Sequence, residues 1–364
     1  MPWTRQLMLD SGAFSVWAQG AFSKKKASEK NIGSHKIDLQ KYIQFCEKYP
    51  EVTYYVNLDV IPGKPRDPRS LTQTAIHEAC CEGYSNWKEM CRYLPKKQVI
   101  PVFHQYDDVY WLQKYMGQGA DYIGISPAND QTVVGKLQWM RSVKPYIFDK
   151  DNNPLVKTHG FAVTTYHLMR YWHWYSVDSA SWKLWAGWGI IYLPQKTGGE
   201  FDYSKDPLII AMSPASKKVA EHQQHYLHCS PSVKENMQEY LDSCGLELGD
   251  YTTKVVEDGY KLVRPEPGEG EVWRNRRDRK VLVPTTCGVM TSFRERCKAN
   301  VRFMLRAEDV LPVKHIYFAG APMPYLLEYK LGNRLLSFAE IGKTGESEYL
   351  ERHLRVMRGE EVVL

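Results

Sequence analysis

Short apolar segments recur through the first half of the chain, and each ends in a polar residue. The segments are residues 6–10, 52–59, 99–105, 122–126, 159–164 and 174–179. They are rich in β-branched and aromatic side chains, and most are apolar without alternation. This pattern is typical of strands that are buried on both faces of a parallel sheet.

Helical patterning separates these strands, over residues 70–94, 107–117 and 133–143, with Ser70 expected as the N-cap of the first helix. Repeated alternation of strand and helix predicts an α/β fold with parallel strands. A (β/α)8 barrel has its site at the carboxyl ends of its strands. A doubly wound sheet also binds ligands there, but usually with a glycine-rich first turn, which this chain lacks. We therefore predict a (β/α)8 TIM barrel.

The pattern changes after residue 185. Residues 189–194 and 207–212 flank a turn-rich stretch and predict a late antiparallel hairpin insertion. Residues 230–245 predict a helix with Pro231 in its first turn and Gly245 as its C-terminal stop.

The end of the chain predicts one more barrel strand and an α-helical C-terminal extension. The strand is expected at residues 314–320 and the helix from Pro324. The predicted division is 1–186 for the first part of the barrel with the active site, 187–300 for the inserted hairpin and helical or loop subdomain, and 301–364 for the last strand and C-terminal helix.

Composition predicts a folded protein of the cytoplasm. The 364 residues are 43% hydrophobic and 25% charged, which excludes wholesale disorder. No apolar run reaches the length of about eighteen residues that suits a membrane span, and the first residues do not resemble a signal peptide. Eight cysteines without framework spacing are expected to be reduced thiols.

The formal net charge of +6 is modest, so the informative feature of the charge is a local cluster. One cluster combines five cations with a single acid, Asp278. The cations are Arg274, Arg276, Arg277, Arg279 and Lys280. A nucleic-acid phosphate backbone and plain solvent are both open as partners of this cluster.

Two aspartates at predicted strand ends suit glycosyl chemistry. Asp10 opens the motif DSGAFS at residues 10–15, and Asp178 is the acid of SVDSASW at residues 176–182. One carboxylate can attack an anomeric carbon while the other moves the proton. An Asx-turn that caps the next helix is the alternative for Asp10.

These motifs resemble those of the tRNA-guanine transglycosylase superfamily, in order along residues 7–215. DSGAFS is similar to the family motif DSGG(F/Y)Q, with Ala13 in place of a glycine and Ser15 in place of the glutamine. SVDSASW resembles the strand of the second aspartate. The segment HGFAV followed by SVDSASW is most similar to the phage and bacterial DNA-guanine transglycosylases, which insert 7-deazaguanine bases into DNA.

The resemblance implies a role for each matching residue. Asp178 would be the nucleophile on C1′, Asp10 the general acid/base, and Asp59 the acceptor for the guanine N1–H and amine. Phe14 and His159 would stack on the flat base. The other implied base-binding residues are Ser11, Gly12, His104, Gln105, Ser126 and Gly160.

The resemblance implies no required cofactor. The tRNA enzymes carry a C-x-C-x-x-C cluster for structural zinc, which is missing here. Cys229 lies near His225 and His228, but their spacing does not support a zinc site.

The expected function is exchange of guanine in DNA for a preQ0-like 7-deazaguanine, in a bacteriophage anti-restriction setting. The expected partners are DNA, with its guanine flipped out or in a single strand, and the free 7-deazaguanine base, with no membrane. The same chemistry on tRNA, a catalytically silent nucleic-acid-binding subunit and a homodimer stay open. The sequence specifies neither the incoming base nor the DNA context.

Overall fold

The chain divides into two compact units. This computed structural model describes residues 6–19, 37–65, 67–128, 130–214, 225–255, 273–275, 280–319, 333–338, 351 and 354–355. The first unit comprises Met1–Ser179 and Pro312–Leu364, and the second is Ala180–Leu311. The inserted unit therefore starts earlier and ends later than the predicted bounds of 187 and 300.

The strands, in chain order, are β1 Leu7–Asp10, β2 Tyr54–Val56, β3 Val99–Ile100, β4 Val102–His104, β5 Tyr122–Ser126, β6 Lys157–Gly160, β7 Trp174–Ser179, β8 Ile190–Leu193, β9 Gln195–Thr197, β10 Glu200–Asp202, β11 Leu208–Ala211, β12 Asp250–Val255, β13 Trp273–Asn275, β14 Lys280–Thr286, β15 Val313–Ala319 and β16 Asn333–Ser337.

The α-helices, in chain order, are α1 Ala13–Gln19, α2 Leu39–Lys48, α3 Gln73–Tyr93, α4 Val109–Gly117, α5 Val133–Ile147, α6 Tyr166–Met169, α7 Ser181–Gly187, α8 Pro231–Cys244 and α9 Phe293–Glu308. Among the described helices, none combines the length and the apolar character needed to cross a bilayer.

A parallel sheet in the first unit forms a nearly closed barrel. Its strand order is β3-β2-β1-β16-β15-β7-β6-β5-β4. The two edge strands, β3 and β4, are consecutive pieces of one strand that Pro101 interrupts. The carbonyl of Ile100 accepts from the Asn57 N–H on one side, and that of Pro101 accepts from the Gly124 N–H on the other, each at 2.8 Å. The two edges therefore meet in one segment, and the predicted TIM-like α/β barrel is confirmed.

An apolar cluster fills the barrel interior. Its buried members come from seven strands and are Met8, Val56, Ile100, Val102, Tyr122, Tyr317 and Leu335. Side chains alternate between the two faces of a strand, so the residue two positions further on points the same way. Asp10 lies two positions after Met8, and His104 lies two positions after Val102. Both polar side chains therefore face the interior at the carboxyl end of the barrel.

The start of α3 differs from the prediction. Thr72 is its N-cap, because the Thr72 hydroxyl accepts from the Ala75 N–H at 3.1 Å. Ser70 instead ends a short 3₁₀ turn, where its Oγ accepts from the Lys64 N–H at 2.6 Å.

The predicted final helix from Pro324 is wrong at residues 333–337, which form β16. This strand pairs in parallel with β1 on one side and with β15 on the other. Leu335 and Leu336 are both buried, so both faces of this segment are covered, which favours a strand in the sheet over a helix on its surface. Beyond β16, the described residues Phe338, Glu351, Leu354 and Arg355 are helical, and the rest of the predicted extension lies outside the described residues.

The second unit contains the predicted antiparallel insertion. Strand β8 pairs antiparallel with β11, and β9 pairs antiparallel with β10. Helix α8 matches its prediction: Ser230 caps the N-terminus, and Gly245 ends the helix with a left-handed φ of 60°. Asn300 of α9 fixes β8, since its Oδ1 accepts from the Tyr192 N–H at 2.9 Å and its Nδ2 donates to the Ile190 carbonyl at 3.2 Å.

Candidate active site

Asp10 and Asp178 lie at the carboxyl ends of two barrel strands. Asp10 ends β1 beside Ser337 of β16, and Asp178 is the fifth residue of β7, beside Tyr317 of β15. On β7, Ser176 contacts Tyr122 of the interior cluster, so Asp178, two positions later, also faces the interior. The two carboxylates thus point into the same end of the barrel from strands that β15 and β16 separate.

The Asp178 carboxylate is held by one of its two oxygens. Oδ1 accepts from the Ala162 N–H at 3.1 Å. Nε2 of His159 lies 3.2 Å from the same oxygen, within ion-pair distance but out of line for a hydrogen bond. No described residue donates to Oδ2. The residue is 7% exposed, so this carboxylate is oriented and largely sheltered from water while one oxygen is left for chemistry.

The donor to Asp178 comes from a strained turn after β6. Ala162 has a φ of 55°, in the left-handed region that residues with a Cβ rarely adopt. Such a conformation costs on the order of 1–3 kcal/mol and persists only where the surroundings enforce it. Gly160 is part of that enforcement, because a Cβ there would lie 2.9 Å from the Val163 Cβ and 3.0 Å from the Trp174 ring. Gly160 is buried, so little of its surface is open to the predicted backbone contact with a base.

The predicted stacking of His159 on a base is wrong. His159 is 0% exposed, and its Nδ1 lies 2.5 Å from Ser176 Oγ. Its ring packs edge-on against Phe161, with centroids 4.5 Å apart. The side chain therefore lies beneath Asp178 rather than on a face that a ligand can reach. Ser176, which sequence reasoning did not single out, holds this imidazole in place.

Asp10 forms the Asx-turn that the sequence left open as an alternative. Its Oδ2 accepts from the Gly12 N–H at 3.1 Å, and Gly12 has a φ of 83°. The Ser11 hydroxyl is fully buried and accepts from the Ala13 N–H at 3.3 Å. Ser11 and Gly12 thus build the turn that starts α1 and positions Asp10, and the buried Ser11 side chain has no surface for the predicted base contact.

His104 is held between two carboxylates. Its Nε2 lies 2.9 Å from Asp59 Oδ2, its Nδ1 lies 3.5 Å from Asp107 Oδ2, and its backbone N–H donates to Asp107 at 2.8 Å. Burial lowers the pKa of His104, but the hydrogen bonds and charges of Asp107 and Asp59 outweigh it and raise the pKa to about 10. His104 is therefore an imidazolium at neutral pH. The sequence did not single out Asp107, because its contact with His104 depends on the geometry of the turn that follows β4.

The Asp59 carboxylate does not line the apolar cleft that Phe14 and Gln105 border. It borders a small cavity together with Cys80 of α3 and with Trp111 and Tyr115 of α4. This placement differs from the predicted contact with a guanine edge. In the described structure, Asp59 orients His104, which borders both the small cavity and the apolar cleft.

A cleft of about 490 Å³ opens at the carboxyl end of the sheet. It is mainly apolar and is formed by segments that follow β1, β2, β4 and β5. Among the predicted base-binding residues, its lining includes Phe14, His104, Gln105 and Ser126. The volume lies within the range of about 300–1,000 Å³ that is usual for small-molecule pockets, and a few polar groups in an apolar wall are typical of them.

Aromatic and amide side chains of the cleft are held in defined positions. Phe14 is 48% exposed, and its ring centroid lies 5.8 Å from that of Trp17. Trp17 Nε1 donates to the Gly63 carbonyl at 3.0 Å. Gln105 Oε1 accepts from the Ala128 N–H at 2.9 Å, and its backbone N–H donates to the Ser126 carbonyl at 3.1 Å. This arrangement offers one stacking face and an oriented amide to a flat heterocycle.

The described residues contain no group of three or more histidine, cysteine or acidic side chains that could hold a metal ion. His225 is instead used within the second unit, where its Nε2 lies 3.2 Å from the Ser213 carbonyl oxygen and its Nδ1 accepts from the Leu227 N–H. In the basic cluster, Arg274 lies on β13 and Lys280 lies on β14. These two strands pair antiparallel. Arg276, Arg277 and Arg279 lie outside the described residues.

Comparison with known proteins leaves the family open. No family model, curated protein or solved structure matches this chain. The resemblance to the guanine transglycosylases therefore stays a prediction that rests on its motifs.

Proposed function

We propose that this protein is a base-exchanging glycosyltransferase that replaces guanine in DNA with a 7-deazaguanine base through a covalent Asp178–deoxyribose intermediate. The observation that carries the proposal is the orientation of the Asp178 carboxylate. Its carboxylate is fixed through Oδ1 by the Ala162 N–H, no described donor reaches Oδ2, and it faces the barrel end that also contains Asp10.

In the first half of the reaction, Asp178 Oδ2 attacks C1′ of the deoxyribose. The bond between C1′ and the guanine nitrogen breaks, and its electron pair goes to the base. Asp10, as a carboxylic acid, gives its proton to the departing guanine and becomes a carboxylate. This half therefore needs two residues in two roles: a nucleophile on the carbon and a proton donor on the leaving nitrogen.

In the second half, the incoming 7-deazaguanine loses its ring N–H proton to the Asp10 carboxylate. The freed nitrogen attacks C1′, and the ester bond to Asp178 breaks. Asp178 and Asp10 return to their starting states. The exchange consumes no redox equivalent or nucleotide triphosphate, because the ester preserves the reactivity of the glycosidic bond.

The cleft supports a flat heterocyclic substrate. Stacking on Phe14 suits a purine or a 7-deazapurine, because every such ring has a π-face. The oriented Gln105 amide can hydrogen-bond the edge of that ring. His104 is a cation at neutral pH with both ring nitrogens directed at carboxylates, so it contributes shape and charge to the wall more than a free donor.

The polymer substrate follows from the same chemistry. A guanine within a duplex hides its C1′, so the enzyme must flip the nucleotide or act on a single strand. The basic cluster at residues 274–280 supplies cations that a phosphate backbone would neutralise.

The decisive experiment incubates the purified protein with isotopically labelled 7-deazaguanine, including the cyano form, and one of three polymers: single-stranded DNA, duplex DNA or tRNA. Nucleoside mass spectrometry then measures incorporation. Label in DNA and not in tRNA is the expected result. Label in tRNA alone would move the substrate to tRNA with the same chemistry, and no label in any polymer would overturn base exchange.

Two variants complete this design. Asp178→Asn removes the nucleophile with little change in shape. Asp151→Asn makes the same chemical change in an exposed loop, where the described contact of Asp151 is a backbone N–H bond to Asp149 Oδ1. Incorporation must disappear in the first variant and persist in the second.

A further inference from the structure

A chain of polar side chains leads up to Asp178 through the barrel interior. Tyr122 Oη lies 2.5 Å from Ser176 Oγ, and Ser176 Oγ lies 2.5 Å from His159 Nδ1. On the other side of the imidazole, His159 Nε2 lies 3.2 Å from Asp178 Oδ1. The first three residues are buried in the barrel interior, and the proposed nucleophile is at the upper end of the chain.

Hydrogen-bonding capacity gives this chain a direction. Burial, the largest influence, raises the pKa of Tyr122 well above its ordinary value, so its phenol keeps its proton and can donate to Ser176. The Ser176 hydroxyl has one proton, which it can then donate to His159 Nδ1. A neutral imidazole that accepts at Nδ1 carries its hydrogen at Nε2, on the side of Asp178.

His159 Nε2 is buried and has no hydrogen-bond partner in the described structure. A buried donor without an acceptor is unfavourable, so we expect a neighbouring group to accept a hydrogen bond from Nε2 at some stage of the reaction. Asp178 Oδ1 already lies 3.2 Å from this nitrogen, although the two atoms form no hydrogen bond in this arrangement.

We infer that His159, oriented by Ser176 and Tyr122, is a positioning residue that donates its Nε2–H to Asp178 Oδ1 when the carboxylate turns towards the sugar. The inference rests on the proposed function and assigns to His159 a role other than base contact. Two donors, the Ala162 N–H and the His159 Nε2–H, then hold Oδ1 and leave Oδ2 directed at C1′.

The two donors act unequally on the two halves of the reaction. Hydrogen bonds to a carboxylate stabilise its charge, so they favour its departure from C1′ more than its attack. Loss of His159 should therefore slow the breakdown of the covalent intermediate more than its formation. Charged hydrogen bonds of this kind make a difference of about ten- to hundredfold in rate.

The first test measures the lifetime of the covalent adduct. The protein is mixed with single-stranded DNA, then with 7-deazaguanine, and denatured in acid at set times to count adduct at Asp178. In His159→Ala, the adduct should disappear about ten- to hundredfold more slowly than in the wild type. His159→Gln should restore most of the rate, because the glutamine amide offers an N–H in place of Nε2–H. Ser176→Ala and Tyr122→Phe should slow breakdown less, in that order.

The second test does not depend on activity. In protein labelled with ¹⁵N-histidine, the nitrogen chemical shifts of His159 report which ring nitrogen carries the hydrogen. We expect the Nε2–H form in the wild type and a mixture of tautomers in Ser176→Ala. Circular dichroism and urea unfolding of each variant separate a local effect from a failure to fold.

The outcomes separate this inference from the proposed function. A wild type that forms the adduct, together with a His159→Ala variant of unchanged adduct lifetime, overturns the positioning role alone. A wild-type His159 that carries hydrogen at Nδ1 and none at Nε2 also overturns it. A wild type that forms no adduct with any polymer overturns base exchange, and the role of His159 in it, whatever the tautomer.

Discussion

Nε2 of His104 lies 2.9 Å from Oδ2 of Asp59, and this contact joins the polar ends of two neighbouring barrel segments. Asp59 follows β2, and His104 ends β4. Asp107 contacts the other side of the same ring at 3.5 Å. The imidazolium therefore acts as a charged crosslink at the rim of the barrel, next to the cleft.

This crosslink predicts that stability falls as pH rises. The pKa of His104 is raised to about 10 in the folded protein, whereas an unfolded histidine has its ordinary value of 6.5. Between these values the folded state binds the additional proton, so its stabilisation is complete below about pH 6.5 and disappears as pH rises towards 10. Urea unfolding at pH 6, 8 and 10 measures this slope. His104→Gln should show a smaller loss across the interval, and equal slopes in the two proteins would contradict the assignment.

The nucleophile prediction concerns rate rather than folding. Asp178→Asn keeps the shape of the side chain and should lower exchange by about 10⁴-fold or more, as expected when a covalent catalyst is removed. The protein–DNA adduct should also disappear from denaturing gels. Full activity in Asp178→Asn would move the nucleophile elsewhere, and Asp10 would be the next residue to test.

Phe14 should affect base binding through stacking. Phe14→Ala removes an exposed ring of the cleft, and stacking of a base on an aromatic side chain is worth about 1–3 kcal/mol. The KM for the incoming base should therefore rise by about five- to 150-fold. Tyr110→Ala is the matched control, since Tyr110 is 55% exposed on α4 and does not line the cleft. Equal effects of the two substitutions would mean that the cleft does not bind the base.

The basic cluster predicts a salt effect without a base preference. Replacing Arg276, Arg277 and Arg279 by glutamine should weaken binding to all DNA sequences alike. The slope of log affinity against log salt should become shallower by roughly 0.9 for each phosphate contact removed from duplex DNA. Titrations at several salt concentrations check this expectation, and an unaltered slope would identify the cluster as solvated.

The strained turn predicts an unusual response to glycine. Ala162 has a φ of 55°, which glycine adopts without steric cost, so Ala162→Gly should raise the free energy of unfolding by up to about 1 kcal/mol. Ala75→Gly in the first turn of α3 should lower it, because glycine is a poor helix former. Urea unfolding compares the two variants. A destabilised Ala162→Gly would mean that the turn is not strained in solution.

The fold class followed from sequence because buried parallel strands leave a distinctive apolar pattern. The same uniformity hid which side of each strand faces inward. His159 belongs to a strand with both faces covered, so its pattern could not separate an interior position from a ligand-facing one. The pairing of His104 with Asp107 depends on the turn that follows β4, and a spacing of three residues has no single meaning outside a helix.

The last barrel strand shows a different limit. The segment NRLLS at residues 333–337 is short and lacks β-branched side chains, so local propensity favoured a helix. Its pairing with β1, more than three hundred residues earlier, decided the outcome. Such long-range pairing overrides local preference and is not visible in a window of sequence.

The position of β16 between β1 and β15 has a consequence for biosynthesis. A ribosome makes Leu7 more than three hundred residues before its pairing partner Arg334. Until β16 emerges, the facing edges of β1 and β15 have no pairing partner in the growing chain. Unpaired strand edges promote association with other chains. A nascent chain that stalls before residue 333 would therefore be a target for chaperones, because the barrel can be completed only after β16 has been made.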